Sequence, residues 1–201
     1  MDRRVVLDFD DLCDTNDPFT TLRLLKTRDP NFKVTLFAIP TRCGPALLAE
    51  YEKERDWIEL GVHGWRHARH ECLAWTSEET VEKLGRAREL YPAFSNVFKA
   101  PNWETCDELY AGCKQSGFAV ADHMRNIEIL PDDSPNYIYN LRLRDDRFIR
   151  MHGHIQDWAG TGLTENANGS VVNEQYLLPV GTEYAFVSEA VSPTKALAKR
   201  R

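Results

Sequence analysis

The hydrophobic and polar positions along the chain predict strands and helices in alternation. Short apolar runs predict strands over residues 3–9, 33–39, 57–62, 97–100 and 118–121. Amphipathic stretches between them predict helices over about 18–27, 44–55, 76–90 and 102–115. Thr76-Ser-Glu-Glu79 has the form of a capping box at the start of the third helix. This alternation predicts an α/β fold of parallel strands, with its chemistry at their carboxyl ends.

The pattern changes after residue 123. Strands are predicted over 127–130, 136–144 and 146–152, and a long loop over 153–170. Residues 171–191 mix helical and strand signals, and 195–201 form a basic tail. The chain has 201 residues, 42% of them hydrophobic, which suffices for one core. We therefore predict a single catalytic domain over 1–201, in which 171–201 is an unassigned C-terminal extension.

Composition excludes some partners and indicates a compartment. The net charge of −6 argues against a nucleic-acid surface, which needs a concentrated basic face. No apolar stretch approaches the length of a membrane span, and no apolar signal segment opens the chain. The five cysteines are scattered and contain no C-x2-C pair, which is typical of reduced thiols. These features predict a soluble cytoplasmic protein without a membrane partner; they do not predict its oligomeric state.

Carboxylates and imidazoles stand where predicted strands end. Asp10 and Asp11 close the first strand, and His63 and His67 form an H-x3-H pair after the third. Two neutral imidazoles at this spacing can bind one cation, such as zinc, from a helical turn or a tight loop. Such a pair is also found simply solvated, and Asp-Asp can cap the following helix. His70 replaces His67 as a ligand if the loop turns differently.

The motifs follow one another in a recognisable order. The strand ends carry, in chain order, Asp10-Asp11, His63 with His67, Lys99-Ala-Pro-Asn-Trp103, Asp122 and His152-Gly-His154. This series resembles the polysaccharide deacetylase family, carbohydrate esterase family four, over about residues 3–155. The segment 34–38, Val-Thr-Leu-Phe-Ala, is similar to the family's second strand. The resemblance implies a distorted (β/α) barrel of about seven mostly parallel strands.

The resemblance also implies an activity and a metal site. It implies a metal-dependent hydrolase acting on C–N bonds, which removes an acetyl group from an N-acetylated sugar or a related amide through metal-bound water. The implied ligands of the divalent cation, zinc by donor type, are Asp11, His63 and His67. The implied general base is Asp10. An acetylated carbohydrate or a small amide is therefore the expected substrate.

Three further roles follow from the same resemblance. The late histidine that protonates the leaving amine falls on His152, or on His154 if the strand ends two residues later. Lys99 takes the place of the arginine that orients the base. Asp122 takes the place of the aspartate that tunes the late histidine.

Four positions depart from the family's pattern. Asp8 stands where the family has threonine, Gly64 where it has serine or threonine, and Lys99 where it has arginine. Asn102-Trp103 stands where an aromatic residue directly follows the proline. Lysine cannot make the bidentate contact of a guanidinium with a carboxylate. These departures bear on substrate class and on activity.

Two other hypotheses fit parts of the chain. Asp8 and Asp10 also match the D-x-D motif of haloacid-dehalogenase-like phosphatases, with Asp8 as nucleophile, Asp10 as acid/base, and Asp132-Asp133 as late magnesium ligands. That hypothesis explains Asp8 but gives the histidines no role. The other hypothesis is a metal- and carbohydrate-binding homologue with weak or no catalysis.

Three tryptophans also have two interpretations. Trp65, Trp103 and Trp158 can stack on a sugar ring at the mouth of the site, or belong to the core.

Overall fold

A computed structural model describes residues 4–123, 126, 135–139, 147–156 and 178–193, of which 135–139 and 192–193 are described as backbone. The strands within these ranges are β1 (Arg4–Leu12), β2 (Val34–Ala38), β3 (Ile58–His63), β4 (Val97–Lys99), β5 (Ala119–His123), β6 (Pro135–Tyr139), β7 (Phe148–His154), β8 (Tyr184–Ala185) and β9 (Ser192–Pro193). The α-helices are α1 (Phe19–Arg28), α2 (Pro45–Glu52), α3 (Ser77–Leu90) and α4 (Asp107–Gln115). Short 3-10 helices lie at Pro40–Arg42, Glu71–Ala74, Pro101–Trp103 and Ser188–Ala190.

The strands form one curled sheet in the order β7-β1-β2-β3-β4-β5-β6-β9, with β8 also paired to β1. Neighbours from β7 through β6 pair in parallel, and β9 pairs antiparallel with β6. Because β1 to β6 are neighbours in chain order, the sheet curls in one direction instead of reversing at a switch point. The predicted distorted (β/α) barrel of about seven mostly parallel strands is confirmed.

The two faces of the sheet bury different residues because side chains alternate along each strand. The odd positions of β1, such as Leu7 and Phe9, belong to the large core cluster that also contains residues of the helices. Val6, on the concave face, packs with a second cluster that includes Phe37, Val97, Phe148 and Val187. Asp8 and Asp10 follow Val6 on the same concave face. The strand period therefore delivers both carboxylates to the inside of the curl.

The helices largely follow the sequence pattern. Thr76 and Glu79 exchange the two hydrogen bonds of a capping box at the start of α3, as predicted. The predicted helix over 102–115 is wrong at its beginning, because α4 starts at Asp107. Asn102 and Trp103 instead have positive φ angles of 56° and 59° and form a tight turn after β4. No α-helix within the described part of the chain is long and apolar enough to cross a membrane.

The segment 184–190 crosses the amino ends of β2 and β3. The Val187 N–H donates to Thr35 Oγ1 (3.0 Å), and the Ser188 N–H donates to Glu59 Oε2 (3.3 Å). The Thr35 hydroxyl donates to the same Glu59 oxygen (2.7 Å). Burial raises the pKa of Glu59 despite these hydrogen bonds. This part of the chain, unassigned from the sequence, closes the end of the curl opposite the carboxyl ends of the strands.

Some predicted elements lie outside the described residues. They are the strand over 127–130, the part of the predicted strand 136–144 beyond 139, the part of the predicted loop 153–170 from 157 onward, and the basic tail 195–201. The loop prediction is wrong at its beginning, because 153 and 154 belong to β7. The predicted strand over 146–152 is observed as β7, shifted by two residues.

Candidate active site

Three predicted ligands meet at the carboxyl ends of β1 and β3. His67 Nε2 lies 3.0 Å from Asp11 Oδ1, and His63 Nε2 lies 3.4 Å from the same oxygen. One ligand atom from each residue lies within 4.8 Å of the other two. Within the described ranges, Asp11 Oδ1 is buried without a hydrogen-bond partner. A buried carboxylate oxygen that faces two imidazole nitrogens without hydrogen-bonding them has the donor set and spacing that a divalent cation requires.

Backbone contacts fix the orientation of His63. Its Nδ1 lies 3.0 Å from the Lys99 carbonyl, which also accepts a hydrogen bond from the Gly64 N–H (3.1 Å). A ring that donates Nδ1–H to a carbonyl leaves the Nε2 lone pair available for a cation. The Nε2 atom is the one that faces Asp11. The β3–β4 pairing thereby selects the tautomer suited to a ligand.

Asp11 is held in a left-handed conformation, with φ at 72°, which a residue with a side chain adopts only at a cost. Asn16 Nδ2 donates to the Asp11 carbonyl (3.0 Å) and to Gln156 Oε1 (3.0 Å). Gln156 Nε2 in turn donates to Asp11 Oδ2. Oδ2 is thus occupied by an amide, and Oδ1 is left to face His63 and His67.

The charges of Asp11 and the two histidines depend on one another. Burial alone would raise the pKa of Asp11, but its contacts with His63 and His67 and the hydrogen bond from Gln156 outweigh burial and lower it strongly. The same contact with Asp11 raises the pKa of His67. Asp11 is therefore ionised at neutral pH and ready to act as a ligand.

A second cluster lies beside the three ligands. The Lys99 ammonium is fully buried, 2.8 Å from Asp10 Oδ1 and 3.0 Å from Asp8 Oδ1. His152 Nδ1 lies 2.9 Å from both Lys99 Nζ and Asp8 Oδ1, and its Nε2 lies 3.7 Å from Asp10 Oδ2. Two predicted catalytic residues, Asp10 and His152, are thus brought together with Lys99. The fourth member, Asp8, was expected only in the phosphatase hypothesis.

The ionised form of Asp10 is favoured by its neighbours. Burial raises its pKa, but the positive charge of Lys99, followed by His63 and His152, outweighs burial and lowers the pKa. Lys99 itself lies between two aromatic rings, 4.5 Å from the centroid of Trp103 and 4.9 Å from that of Phe37. These faces stabilise a cation that has no contact with bulk water.

Asp122, which the resemblance links to the late histidine, makes hydrogen bonds to other groups. The Tyr110 hydroxyl donates to Oδ2, while the His123 N–H (2.6 Å) and Asn126 Nδ2 (2.7 Å) donate to Oδ1. Burial raises its pKa. Asp8 Oδ1 lies 2.9 Å from His152 Nδ1. The role expected of Asp122 stays a prediction.

The remaining candidates are placed as follows. His154 lies beside His152 and forms a second possible ligand group with it and Asp10. His70 is paired with Glu104 (2.7 Å) and is not in the ligand group of His67. Trp65 is buried in the large core, and Trp103 lies against His152 with ring centroids 5.4 Å apart. Trp158 lies outside the described residues.

This geometry does not support the phosphatase hypothesis. Asp8, its nucleophile, has no exposed surface and is occupied by Lys99 and His152. A nucleophile must reach its substrate, which a carboxylate covered in this way does not. Asp132 and Asp133, its late magnesium ligands, lie outside the described residues.

Some residues around the site were not found from the sequence. Asn16, Gln156 and Glu71 contact Asp11 or the loop that carries His67 through hydrogen bonds. Asn16 forms a bridge with Cys13, Glu71 begins a 3-10 helix, and Gln156 follows β7. None of them has a spacing pattern that links it to a candidate ligand. The alternation of β1 could have placed Asp8 beside Asp10, since both lie on one face.

Comparisons with known proteins address the fold. No protein-family model and no curated protein matches the chain. The Xyl-CE4 domain of a multidomain xylanase from the hindgut metagenome of Trinervitermes trinervoides is similar in structure, with 13% identity, a TM-score of 0.56, and coverage of 100% of this chain and 91% of that one. A family 4 acetyl xylan esterase from Clostridium thermocellum, solved with a cobalt ion, gives 14% identity, a TM-score of 0.57, and coverage of 94% and 90%.

A third solved structure extends the similarity to a deacetylase. The chitin deacetylase of the fungal pathogen Colletotrichum lindemuthianum gives 15% identity, a TM-score of 0.50, and coverage of 94% of this chain and 87% of that one. Identities this low speak to the fold alone. Taken with the curled parallel sheet, they show that the chain has the fold of the polysaccharide deacetylases of carbohydrate esterase family four.

Proposed function

We propose that the protein is a divalent-cation-dependent hydrolase that removes an acetyl group from an N-acetylated sugar or a related amide. The observation that carries the proposal is the convergence of Asp11 Oδ1, His63 Nε2 and His67 Nε2 beside a buried Asp10. One carboxylate and two imidazoles are the donor set of a catalytic cation site that keeps open positions. The proposal takes zinc as the cation, because two of the three donors are imidazoles.

The charge of the site supports one dication. Asp8, Asp10 and Asp11 are buried carboxylates, and Lys99 is the buried ammonium among them. With the imidazoles neutral, this leaves two uncompensated negative charges, which burial makes unfavourable. A dication held by Asp11, His63 and His67 would lower the pKa of a water molecule and polarise an acyl carbonyl. It would also bring the net charge of the cluster to zero.

Asp10 is the proposed proton acceptor. Lys99 keeps it ionised and fixes Oδ1 from one side, so that Oδ2 faces His63 Nε2 at 3.9 Å and the ligand cluster. A general base must lie within reach of the proton it removes, and Oδ2 lies beside the position where an attacking water would sit. Lys99 is therefore proposed to orient Asp10 by one ionic contact, where an arginine would make two.

His152 is the proposed proton donor to the leaving group. Its Nδ1 is held by Asp8 Oδ1 at 2.9 Å, which turns Nε2 toward Asp10. Asp8 Oδ1 and Lys99 Nζ both lie 2.9 Å from Nδ1 and fix the orientation of the ring, so that Nε2 can deliver a proton to the leaving group. Asp8 thus takes the role beside His152 that the resemblance assigns to Asp122. His154, on the same face of β7, is the alternative donor.

The proposed substrate is an acetylated carbohydrate. Trp103 lies at the edge of the catalytic cluster, against His152, where an aromatic face can pack on a sugar ring. The solved neighbours include an acetyl xylan esterase and a chitin deacetylase, so both ester-linked and amide-linked acetyl groups belong in a test.

We also propose a reducing, cytoplasmic location for the protein, since the five cysteines are free thiols.

The proposal is tested by metal content and acetate release. Purified protein is loaded with zinc or cobalt, analysed for bound metal, and incubated with chitin oligosaccharides, acetylated xylan and small acetamides. His63→Ala should remove both metal and activity, because it deletes one of three ligands. Asp10→Asn should retain the metal and lower kcat by two orders of magnitude or more, roughly the contribution of a general base.

Three results would end or change the proposal. A wild-type protein that binds no divalent cation would end it. A protein that binds one cation but releases no acetate from any substrate would support the binding homologue without catalysis. Near-normal turnover of Asp10→Asn would leave a hydrolase but remove Asp10 as its base.

A further inference from the structure

The loop that carries His67 is built around a carboxylate that is not one of its ligands. Glu71 accepts three hydrogen bonds from successive backbone amides: Oε1 from Trp65 N–H (3.0 Å) and His67 N–H (3.0 Å), and Oε2 from Arg66 N–H (3.1 Å). Glu71 opens the short helix Glu71–Ala74, whose own start is closed by the hydrogen bond from Glu71 N–H to the Ala68 carbonyl. One side chain therefore satisfies every amide between Gly64 and Ala68.

These bonds hold the backbone in an unfavourable shape. His67 has a φ of 57° and Gly64 a φ of 58°, both in the left-handed region. For His67 such a conformation costs energy and persists only where its surroundings impose it. Three aligned N–H groups that converge on one anion provide that constraint. Without the carboxylate, the loop would relax to a lower-energy path, and His67 Nε2 would leave its place beside Asp11.

The glycine that departs from the family pattern fits the same arrangement. A Cβ atom added at Gly64 would lie 2.2 Å from Glu71 Oε1 and 2.8 Å from Pro101 Cγ. Contacts that short do not occur, so a serine or threonine at this position would push the carboxylate away from the amides. Gly64 and Glu71 are thus two parts of one device, which replaces the family's serine or threonine in this loop.

We infer that Glu71 is a positioning residue for the cation: it sets the loop 64–67 so that His67 is already in place before a cation binds. The inference rests on the proposed function, since it assumes that His67 is a ligand. It goes beyond that proposal by assigning the geometry of the site to a residue outside the ligand set. A ligand placed in advance does not lose conformational freedom on binding, which raises affinity.

The test measures cation affinity and stability separately. Zinc and cobalt are titrated calorimetrically into metal-free wild type, Glu71→Ala, Glu71→Gln and Glu104→Gln, and each metal-free protein is melted. Glu71→Ala should weaken binding about 10- to 100-fold, the range found when groups that support metal ligands are removed. The affinity of Glu71→Gln should lie between those of Glu71→Ala and the wild type, because an amide oxygen can still accept hydrogen bonds from two of the three N–H groups. Glu104→Gln removes a nearby carboxylate that pairs with His70 and makes no contact with the loop amides, so its affinity should match the wild type.

The absorption spectrum of bound cobalt gives a second readout, because it reports ligand geometry. Glu71→Ala should shift or broaden the visible bands even at saturating cobalt, while Glu104→Gln should keep the wild-type spectrum. A Glu71→Ala protein that melts earlier yet keeps wild-type affinity and spectrum would overturn the inference, because Glu71 would then support the fold alone. A wild type that binds neither metal would overturn the proposed function as well, so the two failures are distinguishable.

Gly64→Ala supplies an independent check, because it disturbs the contact between Glu71 and the loop from the side of the glycine. The added methyl displaces Glu71 from the amides without removing its charge, and it also presses on Pro101, so affinity should fall at least as far as in Glu71→Ala. The double variant should lose little more affinity than Gly64→Ala alone, since the contacts of Glu71 with the amides are already lost in that variant. Losses that simply add would contradict a shared mechanism.

Discussion

Removing the Lys99 ammonium tests how the two buried carboxylates are tolerated. In Lys99→Met the side chain keeps most of its length and its contact with Phe37 and Trp103 but loses its charge. Asp8 and Asp10 then face each other across the space that Nζ occupied, at 3.0 and 2.8 Å from their oxygens. The Asp8 side chain is 0% exposed and that of Asp10 is 6% exposed. Water cannot reach either carboxylate, so solvent does not screen the repulsion between them once the Lys99 charge is gone.

The structure sets the size of the effect. Breaking a buried ion pair by removing one partner costs about 3–5 kcal/mol, because the stranded charge remains desolvated. One kcal/mol lowers the melting temperature of a domain of this size by about 2–4 °C. Lys99→Met should therefore melt about 6–20 °C below the wild type. Replacing Asp8 by Asn in the same background removes one stranded charge and should recover part of that difference.

The assay is thermal unfolding of metal-free protein, followed by circular dichroism and by calorimetry. A chelator is present throughout, because a bound dication would offset the missing ammonium and hide the effect. Lys53→Met serves as control: that lysine is 62% exposed and pairs with Glu50 at the surface, so its melting temperature should stay near the wild type. A Lys99→Met protein within about 2 °C of the wild type, less than 1 kcal/mol, would refute the buried-pair argument.

Two further perturbations test other parts of the molecule. Burial raises the pKa of Glu59, so its protonated form stabilises the fold, and that stabilisation is lost as pH rises from the ordinary carboxyl pKa through the raised one. Glu59→Gln should therefore flatten the plot of melting temperature against pH above the ordinary carboxyl pKa, and parallel curves for variant and wild type would contradict this. Asn16→Ala removes the donor to the Asp11 carbonyl and should destabilise the metal-free protein by about 1 kcal/mol. Cation titration of the same variant should show weaker binding, since Asp11 keeps its positive φ less well; unchanged affinity would show that Gln156 alone suffices.

The sequence predicted the framework of the fold because local patterns determine it. Thr76 and Glu79 carry their capping box within four residues, and β1 and β3 are apolar runs that end in candidate ligands. The turn after β4 was included in the predicted helix over 102–115, whereas α4 begins at Asp107. The left-handed φ of Asn102 follows Pro101 in a turn that places Trp103 over Lys99, a tertiary contact without a local signal.

The sequence predicted which three side chains meet at the candidate site, but it did not predict the residues that hold them in place. Asp11, His63 and His67 lie at strand ends, where a parallel sheet gathers its functional groups. The pairing of Asp8 with Lys99 joins residues 91 positions apart, and no spacing rule connects them. Glu71 acts through backbone amides, which carry no sequence signature. Hydrogen bonds between a side chain and backbone amides can be recognised only once the conformation of the loop is known.

Because β1 lies between β2 and β7, the candidate ligands and His152 are synthesised at different times. All three candidate ligands are encoded within the first 67 residues, on and after β1 and β3, whereas His152 comes 85 residues later on β7. At ribosomal speeds of about 5–20 residues per second, that interval lasts about 4–17 s. The candidate cation-binding groups are therefore synthesised well before the proposed proton donor, and the contacts of β1 with β7 and β8 form only after those later strands have been made. If the proposed function holds, a nascent chain can acquire its metal before it becomes able to catalyse, because the proposed proton donor reaches the site only when β7 pairs with β1.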